Sequence, residues 1–254
     1  MTIFWLNSSG LKLEKFSADH LFGKKINISQ PEKGYHFSMD PFILAAHIKP
    51  MGFEKIIDVG CGCGVIPLLL AAKYPGLRIT GVEIQKELVR FAKKNVINNM
   101  LEKTIHIIHN NIKNIDVLDI NGKADIIVSN PPYKKKGTGR LNPDSQKAIA
   151  RHEIFLDIDL LLNCSNRLLK EQGRLYIILP AQRLSELMPT MEKYKFSLDL
   201  IRFVHIKKNE EAKLVILRAI KGNLCKPCTT APPFYVYDFD NRFTKEYDSV
   251  FKPV

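Results

Sequence analysis

No apolar run in this 254-residue chain approaches the ~20 residues that cross a bilayer; the longest, residues 65–72, is interrupted by Pro67. A membrane-spanning protein is therefore not expected. Met1 to Gly10 lack a basic stretch followed by an apolar core, which argues against a secretory signal. Cysteine is scarce and odd in number, at Cys61, Cys63, Cys164, Cys225 and Cys228. A reducing cytoplasm suits that set better than a disulfide framework. There is no internal repeat and no low-complexity segment. Acidic residues are also short: 26 Asp and Glu face 38 Lys and Arg, a formal charge of +12. Such an excess concentrates polyanions at the surface, although net charge alone does not say where the cations cluster.

What is present is ordinary globular composition, 45% hydrophobic and 25% charged. From Lys55 the chain alternates strand and helix patterns. Ile56-Ile57-Asp58-Val59 is a short β-branched run, and residues 65–74 read as a helix. Strands are expected at 78–84, 104–108, 124–129 and 174–179, with helices at 87–98, 156–169 (stopped by Gly173) and 182–194. Residues 203–206 and 213–220 read as a closing antiparallel pair. Apolar strands alternating with helices predict an α/β fold, a mostly parallel seven-stranded sheet covered on both faces. Such sheets bind ligands beyond the carboxyl ends of their strands. The expected organisation is an N-terminal extension (1–50) that contributes to the pocket, a catalytic domain (51–221), and a tail (222–254) packed on it. Residues 11–16 alternate with period two like a strand, and the proline-containing tail is expected to be rich in loops.

The loop Asp58-Val59-Gly60-Cys61-Gly62-Cys63-Gly64 joins the first strand to its helix. Its spacing is G-x-G-x-G. The dinucleotide fingerprint G-x-G-x-x-G would need a glycine where Val65 stands. A pyrophosphate at the helix start is thus poorly supported, and a neutral or cationic nucleoside-like ligand is better served. Asp58 can face a cationic group of that ligand. Cys61 and Cys63 have no two further ligands nearby in sequence, so no metal site is expected. Glu83, closing the second strand in Gly81-Val82-Glu83-Ile84, can accept both hydroxyls of a ribose.

This set resembles the class I S-adenosylmethionine-dependent methyltransferases, Rossmann-like enzymes. The resemblance implies that Asp58, Gly60, Cys61, Gly62 and Gly64 hold the methionine part of S-adenosylmethionine and that Glu83, with Ile84, holds the ribose. The acid that usually follows the third strand is replaced by Asn110 or Asn111; the Asn111 amide oxygen could accept from the adenine amine.

Ser129-Asn130-Pro131-Pro132-Tyr133 follows the fourth strand and is the most specific signal in the chain. The prolines stiffen the turn. Asn130 offers a side-chain carbonyl, Pro131 a main-chain carbonyl, and Tyr133 a flat ring. Two acceptors and a ring suit a conjugated amine such as N6 of adenine. They would bind its two hydrogens, turn its lone pair toward a methyl donor, and stack its plane. The motif resembles that of amino-methyltransferases acting on adenine, cytosine, guanine or glutamine amides.

Further segments narrow the resemblance: Phe37-Ser38-Met39-Asp40-Pro41-Phe42, the stretch from Gly137 to Glu153 including Arg151-His152-Glu153, Arg202-Phe203-Val204-His205, and Val236-Tyr237 with Tyr247. Together these resemble the bacterial tRNA adenine-N6 methyltransferases that modify adenosine 37 of valine tRNA. That resemblance implies Ser38 and Asp40 at the cofactor pocket and Asn130, Pro131, Pro132 and Tyr133 as the catalytic set, Asn130 also facing the cofactor. Lys134, Lys135, Lys136 and Arg140 directly follow the motif and, with Arg151, can grip phosphates flanking an everted base of the anticodon loop. The attack needs no strong base, so Arg151-His152-Glu153 is read as structural or RNA-contacting.

Cys225-Lys226-Pro227-Cys228 is not followed by the helix that a thioredoxin-like pair requires. Competing readings are a protein-glutamine methyltransferase acting on a release factor, another amino-methyltransferase acting on rRNA or on DNA, for the latter of which no target-recognition domain is apparent, and a non-catalytic RNA-binding module. The sequence leaves the oligomeric state open.

Overall fold

A computed structural model describes residues 17–21, 24–31, 38–131, 157–222 and 227–250. A two-stranded antiparallel hairpin, β1 (Ser17–Leu21) and β2 (Lys24–Asn27), precedes α1 (Asp40–His47). The alternating body follows: β3 (Lys55–Val59), α2 (Val65–Lys73), β4 (Arg78–Glu83), α3 (Lys86–Asn98), β5 (Ile105–His109) and β6 (Ala124–Ser129). Then come α4 (Ile158–Leu168), β7 (Leu169–Pro180), α5 (Leu184–Lys193), β8 (Phe196–Lys207) and β9 (Ala212–Lys221).

The strand order β5-β4-β3-β6-β7-β9-β8 is parallel from β5 to β7, while β9 runs antiparallel between β7 and β8. These seven strands match the sequence expectation. The same sheet gains two more from the tail. β10 (Thr229–Thr230) and β11 (Phe234–Tyr237) both pair in parallel with the outer edge of β8, and α6 (Lys245–Ser249) closes the described chain. The tail is therefore less loop-like than its prolines suggest. Phe234, Val236 and Tyr247 are buried in the core it helps to cover.

Every residue of β3 is buried, which is why it reads as a continuous β-branched run. Pro67 does not break α2: it lies in the first turn, where its missing N–H has no intrahelical partner to lose. Gly173 does not stop a helix. The helix ends at Leu168, and the chain turns straight into β7, with Gln172 at φ 60° and a register shift against β6. Gly173 is needed there because a Cβ would lie 2.9 Å from both Leu169 and the Lys170 carbonyl.

β3 and β6 are neighbours whose following connections depart to opposite sides, one to β4 and the other to β7. That divergence opens a crevice at the carboxyl ends of the strands. The loops after β3, β4, β5 and β6 all emerge on this edge.

Candidate functional site

The loop after β3 is made by its glycines. Gly60, Gly62 and Gly64 take φ of 75°, 55° and 82°, a left-handed backbone that side chains disfavour. Gly60 N–H and Cys61 N–H both donate to Val82 O, at 2.9 and 3.2 Å, holding the loop over the end of β4. Cys61 and Cys63 are buried within the protein. Burial pushes the Cys63 thiol up to about 12 and holds Cys61 well above its usual range. The Cys61 side chain packs against Gly81, where a Cβ would meet its Sγ at 2.8 Å. It thus faces the interior, and of Cys61 the main chain is what remains for a ligand. Among the described residues, no group of three or more His, Cys, Asp or Glu is arranged to hold a metal ion.

Glu83 explains why this loop is no phosphate cradle. Its Oε2 accepts the Gly62 N–H at 2.9 Å and its Oε1 the Gln85 N–H at 2.8 Å. A carboxylate thus occupies a loop amide that a pyrophosphate would otherwise use, and adds charge that would repel one. Each oxygen keeps a second lone pair for a hydroxyl donor. Burial raises the Glu83 pKa, opposed by the N–H groups of Gln85 and Gly62.

Asp58, the penultimate residue of β3, stands just before the same loop, 1% exposed. Neither carboxyl oxygen has a hydrogen-bond partner among the described residues. Burial lifts its pKa well above the usual carboxylate range, and the charge of Glu83 lifts it further. Buried charges are normally paired, so this pair of acids suits a ligand that brings positive charge. The ammonium and sulfonium of S-adenosylmethionine meet that requirement.

A shallow cleft continues from Gly60 past Glu83, Ile84, Asn110, Asn111 and Ile112, with Leu160 on its far side. Asn111 is buried, and its Oδ1 caps the short 3-10 turn Ile112–Asn114 by accepting the Lys113 N–H at 3.0 Å. That bond uses part of the acceptor capacity expected to face an adenine amine. Arg167 on α4 secures the turn, its guanidinium lying 2.8 Å from Ile115 O and 3.1 Å from Lys113 O. A separate cavity of about 480 Å³ beside Met188 and Phe196 contains none of the predicted site residues.

On the other bank, the fully buried Ser129 donates its Oγ–H to Val59 O at 2.9 Å. Val59 precedes Gly60 and Ser129 precedes Asn130, so this bond sets the two loops side by side. Asn130 is half-buried and Pro131 buried. Ser38 is exposed, and its Oγ accepts the Asp40 N–H at 3.3 Å at the start of α1; Asp40 is buried. Pro132, Tyr133, Lys134, Lys135, Lys136, Arg140, Arg151, His152 and Glu153 lie outside the described residues, as do Phe37, residues 11–16 and Cys225. Cys228 is exposed.

Sequence reasoning quoted Ser129 without giving it a role, and it missed Arg167 and Ile112. Ser129 could have been found from its place before the Asn-Pro turn. The others act through contacts made across the fold.

A doubly wound sheet with a glycine loop after its first inner strand, an acid closing the second and an Asn-Pro pair following the strand beside them fits a class I methyltransferase. The family model described as methyltransferase small domain matches residues 40–194, and the chain belongs to that family of S-adenosylmethionine-dependent methyltransferases. It is 30% identical over 199 residues to the tRNA1(Val) (adenine(37)-N6)-methyltransferase of Porphyromonas gingivalis, covering 76% of this chain and 77% of that protein. It is 27% identical to the protein of the same name from Tolumonas auensis, covering 88% and 91%. Among solved structures, a predicted O-methyltransferase from Agrobacterium tumefaciens superposes with a TM-score of 0.67 at 19% identity, covering 84% of this chain and 95% of that one. At that identity the likeness concerns the fold.

Proposed function

We propose that this enzyme methylates the exocyclic N6 of an adenosine in tRNA, adenosine 37 in the anticodon loop of valine tRNA, and that it works in the cytoplasm. The observation that supports the reading is the Ser129–Val59 hydrogen bond, which sets Asn130, the residue after β6, beside the start of the glycine loop after β3. The kinship with enzymes so named, at 27–32% identity, supports the choice of amine and of RNA.

S-adenosylmethionine supplies an electrophilic methyl group on a sulfonium. The chain supplies position. The Asn130 side-chain carbonyl and the Pro131 main-chain carbonyl accept the two N6 hydrogens and turn the nitrogen lone pair toward the donor. Tyr133 stacks the base, worth about 1–3 kcal/mol by general precedent. Orientation of two bound reactants then does most of the work. The methylated amine is cationic and loses its proton to solvent without a dedicated base. Lys134, Lys135, Lys136, Arg140 and Arg151 grip the flanking phosphates, and an unpaired loop base costs less to extract than a paired one.

The test is methylation of total unmodified tRNA with labelled donor, followed by nucleoside analysis. N6-methyladenosine at position 37 of valine tRNA is expected. Label in methylguanosine overturns the assignment, as does unlabelled tRNA beside a release factor that takes up label in a parallel reaction. Asn130→Ala is expected to abolish turnover while cofactor still binds.

A further inference from the structure

Asn95 on α3 and Asn99, the residue that caps its carboxyl end, hold the segment that leaves the N-terminal hairpin. Asn99 Nδ2 donates to Asn27 O at 2.8 Å, and its Oδ1 accepts the Asn27 N–H at 2.9 Å. Asn95 repeats the pattern two residues further along, donating to Ser29 O at 2.9 Å and accepting the Ser29 N–H at 2.8 Å. The match is geometric. Four residues of helix rise about 6 Å, and two residues of extended chain span about 6.6 Å. A helix face therefore reads the backbone of residues 27 and 29 much as a neighbouring strand would.

Asn95 does more than Asn99. It is completely buried, and its second amide hydrogen donates to Cys63 O at 2.9 Å, inside the glycine loop. Both donors are used, and the oxygen is engaged as well. The first donor holds the N-terminal segment and the second holds the loop on which the cofactor sits.

We propose that Asn95 is a positioning residue that ties the glycine loop to the N-terminal segment at Ser29, so that cofactor binding and docking of that segment reinforce each other. The proposal rests on the cofactor assignment and not on which amine is methylated. Whatever orders the loop fixes the Cys63 carbonyl, hence the Asn95 amide, hence the hydrogen bonds at Ser29. By linkage the effect runs equally in both directions.

The test compares three variants of the full chain with wild type, by calorimetry with S-adenosylhomocysteine and by steady-state kinetics. Asn95→Asp keeps the shape and the acceptor for Ser29 N–H but removes both donors. Ser29→Pro removes the N–H that Asn95 accepts, with the serine hydroxyl, and leaves the residue-29 carbonyl that Asn95 donates to. Asn99→Asp loosens the same segment at Asn27 without touching the loop. Asn95→Asp is expected to raise the cofactor Kd and KM tenfold or more, with kcat recovered at saturating cofactor. Ser29→Pro is expected to raise Kd severalfold and Asn99→Asp less than twofold. In wild type, S-adenosylhomocysteine is expected to slow hydrogen exchange at the Ser29 amide. A folded Asn95→Asp protein with wild-type Kd overturns the proposal, as does an equal loss in Asn99→Asp. Should Asn95→Asp fail to fold, unchanged Ser29 exchange in cofactor-bound wild type overturns it. Wild type that binds no S-adenosylhomocysteine at all would instead fail the cofactor assignment.

Discussion

Asp58 combines a cost to the free protein with a use in the complex. Its carboxyl is enclosed, lacks a partner among the described residues and stands near a second buried acid. Because its folded pKa lies above the unfolded value, its contribution to stability is present at low pH and is lost as pH rises through the folded pKa. Asp58→Asn is therefore expected to raise the melting temperature of the cofactor-free protein at pH 8, by about 2–4 °C for each kcal/mol recovered. The gain should shrink toward pH 5. A cationic ligand needs the ionised carboxylate, so wild-type affinity for S-adenosylmethionine should climb with pH up to the Asp58 pKa and then level off. In Asp58→Asn the affinity should fall about tenfold or more, the weight of a charged hydrogen bond, and the climb attributable to Asp58 should vanish. Calorimetry across pH measures both. A variant with unchanged affinity would remove Asp58 from the site.

The glycine loop and β4 meet so closely at Gly81 that a Cβ there would fall 2.8 Å from both Cys61 Sγ and Ile107 Cδ1. Gly81→Ala is expected to cost about 1–3 kcal/mol in denaturant unfolding and to weaken cofactor binding by pushing the loop. Cys61→Ala in the same chain should return part of both, whereas no recovery would mean that the strain lies against Ile107. At the other end of the sheet, α1 is joined to β8 through His47. Arg202 donates to its Nε2 at 2.9 Å, so the ring proton lies on Nδ1, which donates to Ile43 O at 2.7 Å. Burial lowers this histidine to about 4. The unfolded chain binds the proton more readily, so stability should decline as pH falls from about 6.5 toward 4, and His47→Gln should flatten that slope. Most of these elements were legible in the sequence. Buried parallel strands announce themselves as β-branched runs, and the glycine spacing marked the left-handed turn that follows β3. The tail strands were not legible. A two-residue strand and a four-residue strand between prolines carry too little periodicity, and what orders them is pairing with β8 and burial of Phe234 and Tyr247. Asn95 and Arg167 were hidden for a related reason: a polar residue on a helix looks solvated until the fold shows which carbonyls it meets.

A charge of +12 spread over one α/β body gives substrate recognition a measurable signature. In the proposed reading the cofactor takes the cleft lined by Glu83, with Asp58 also buried at the end of β3, and mobile ions screen buried charges poorly. An RNA, by contrast, would meet solvent-exposed lysine and arginine, and each phosphate contact releases condensed counterions. The logarithm of tRNA affinity should therefore fall linearly with the logarithm of salt concentration, with a slope of about −0.7 to −0.9 for each phosphate engaged. Cofactor affinity over the same range should change far less. Lys134→Glu with Lys136→Glu should reduce the tRNA slope by about two contacts and leave the cofactor Kd unchanged, because the two sites draw on different charges. Fluorescence anisotropy with unmodified valine tRNA, titrated at several salt concentrations, supplies the measurement. A release-factor peptide without a dense run of phosphates would give a shallow slope that the double substitution barely alters. A steep slope that survives the substitution would instead place the phosphate contacts on other cations of the surface.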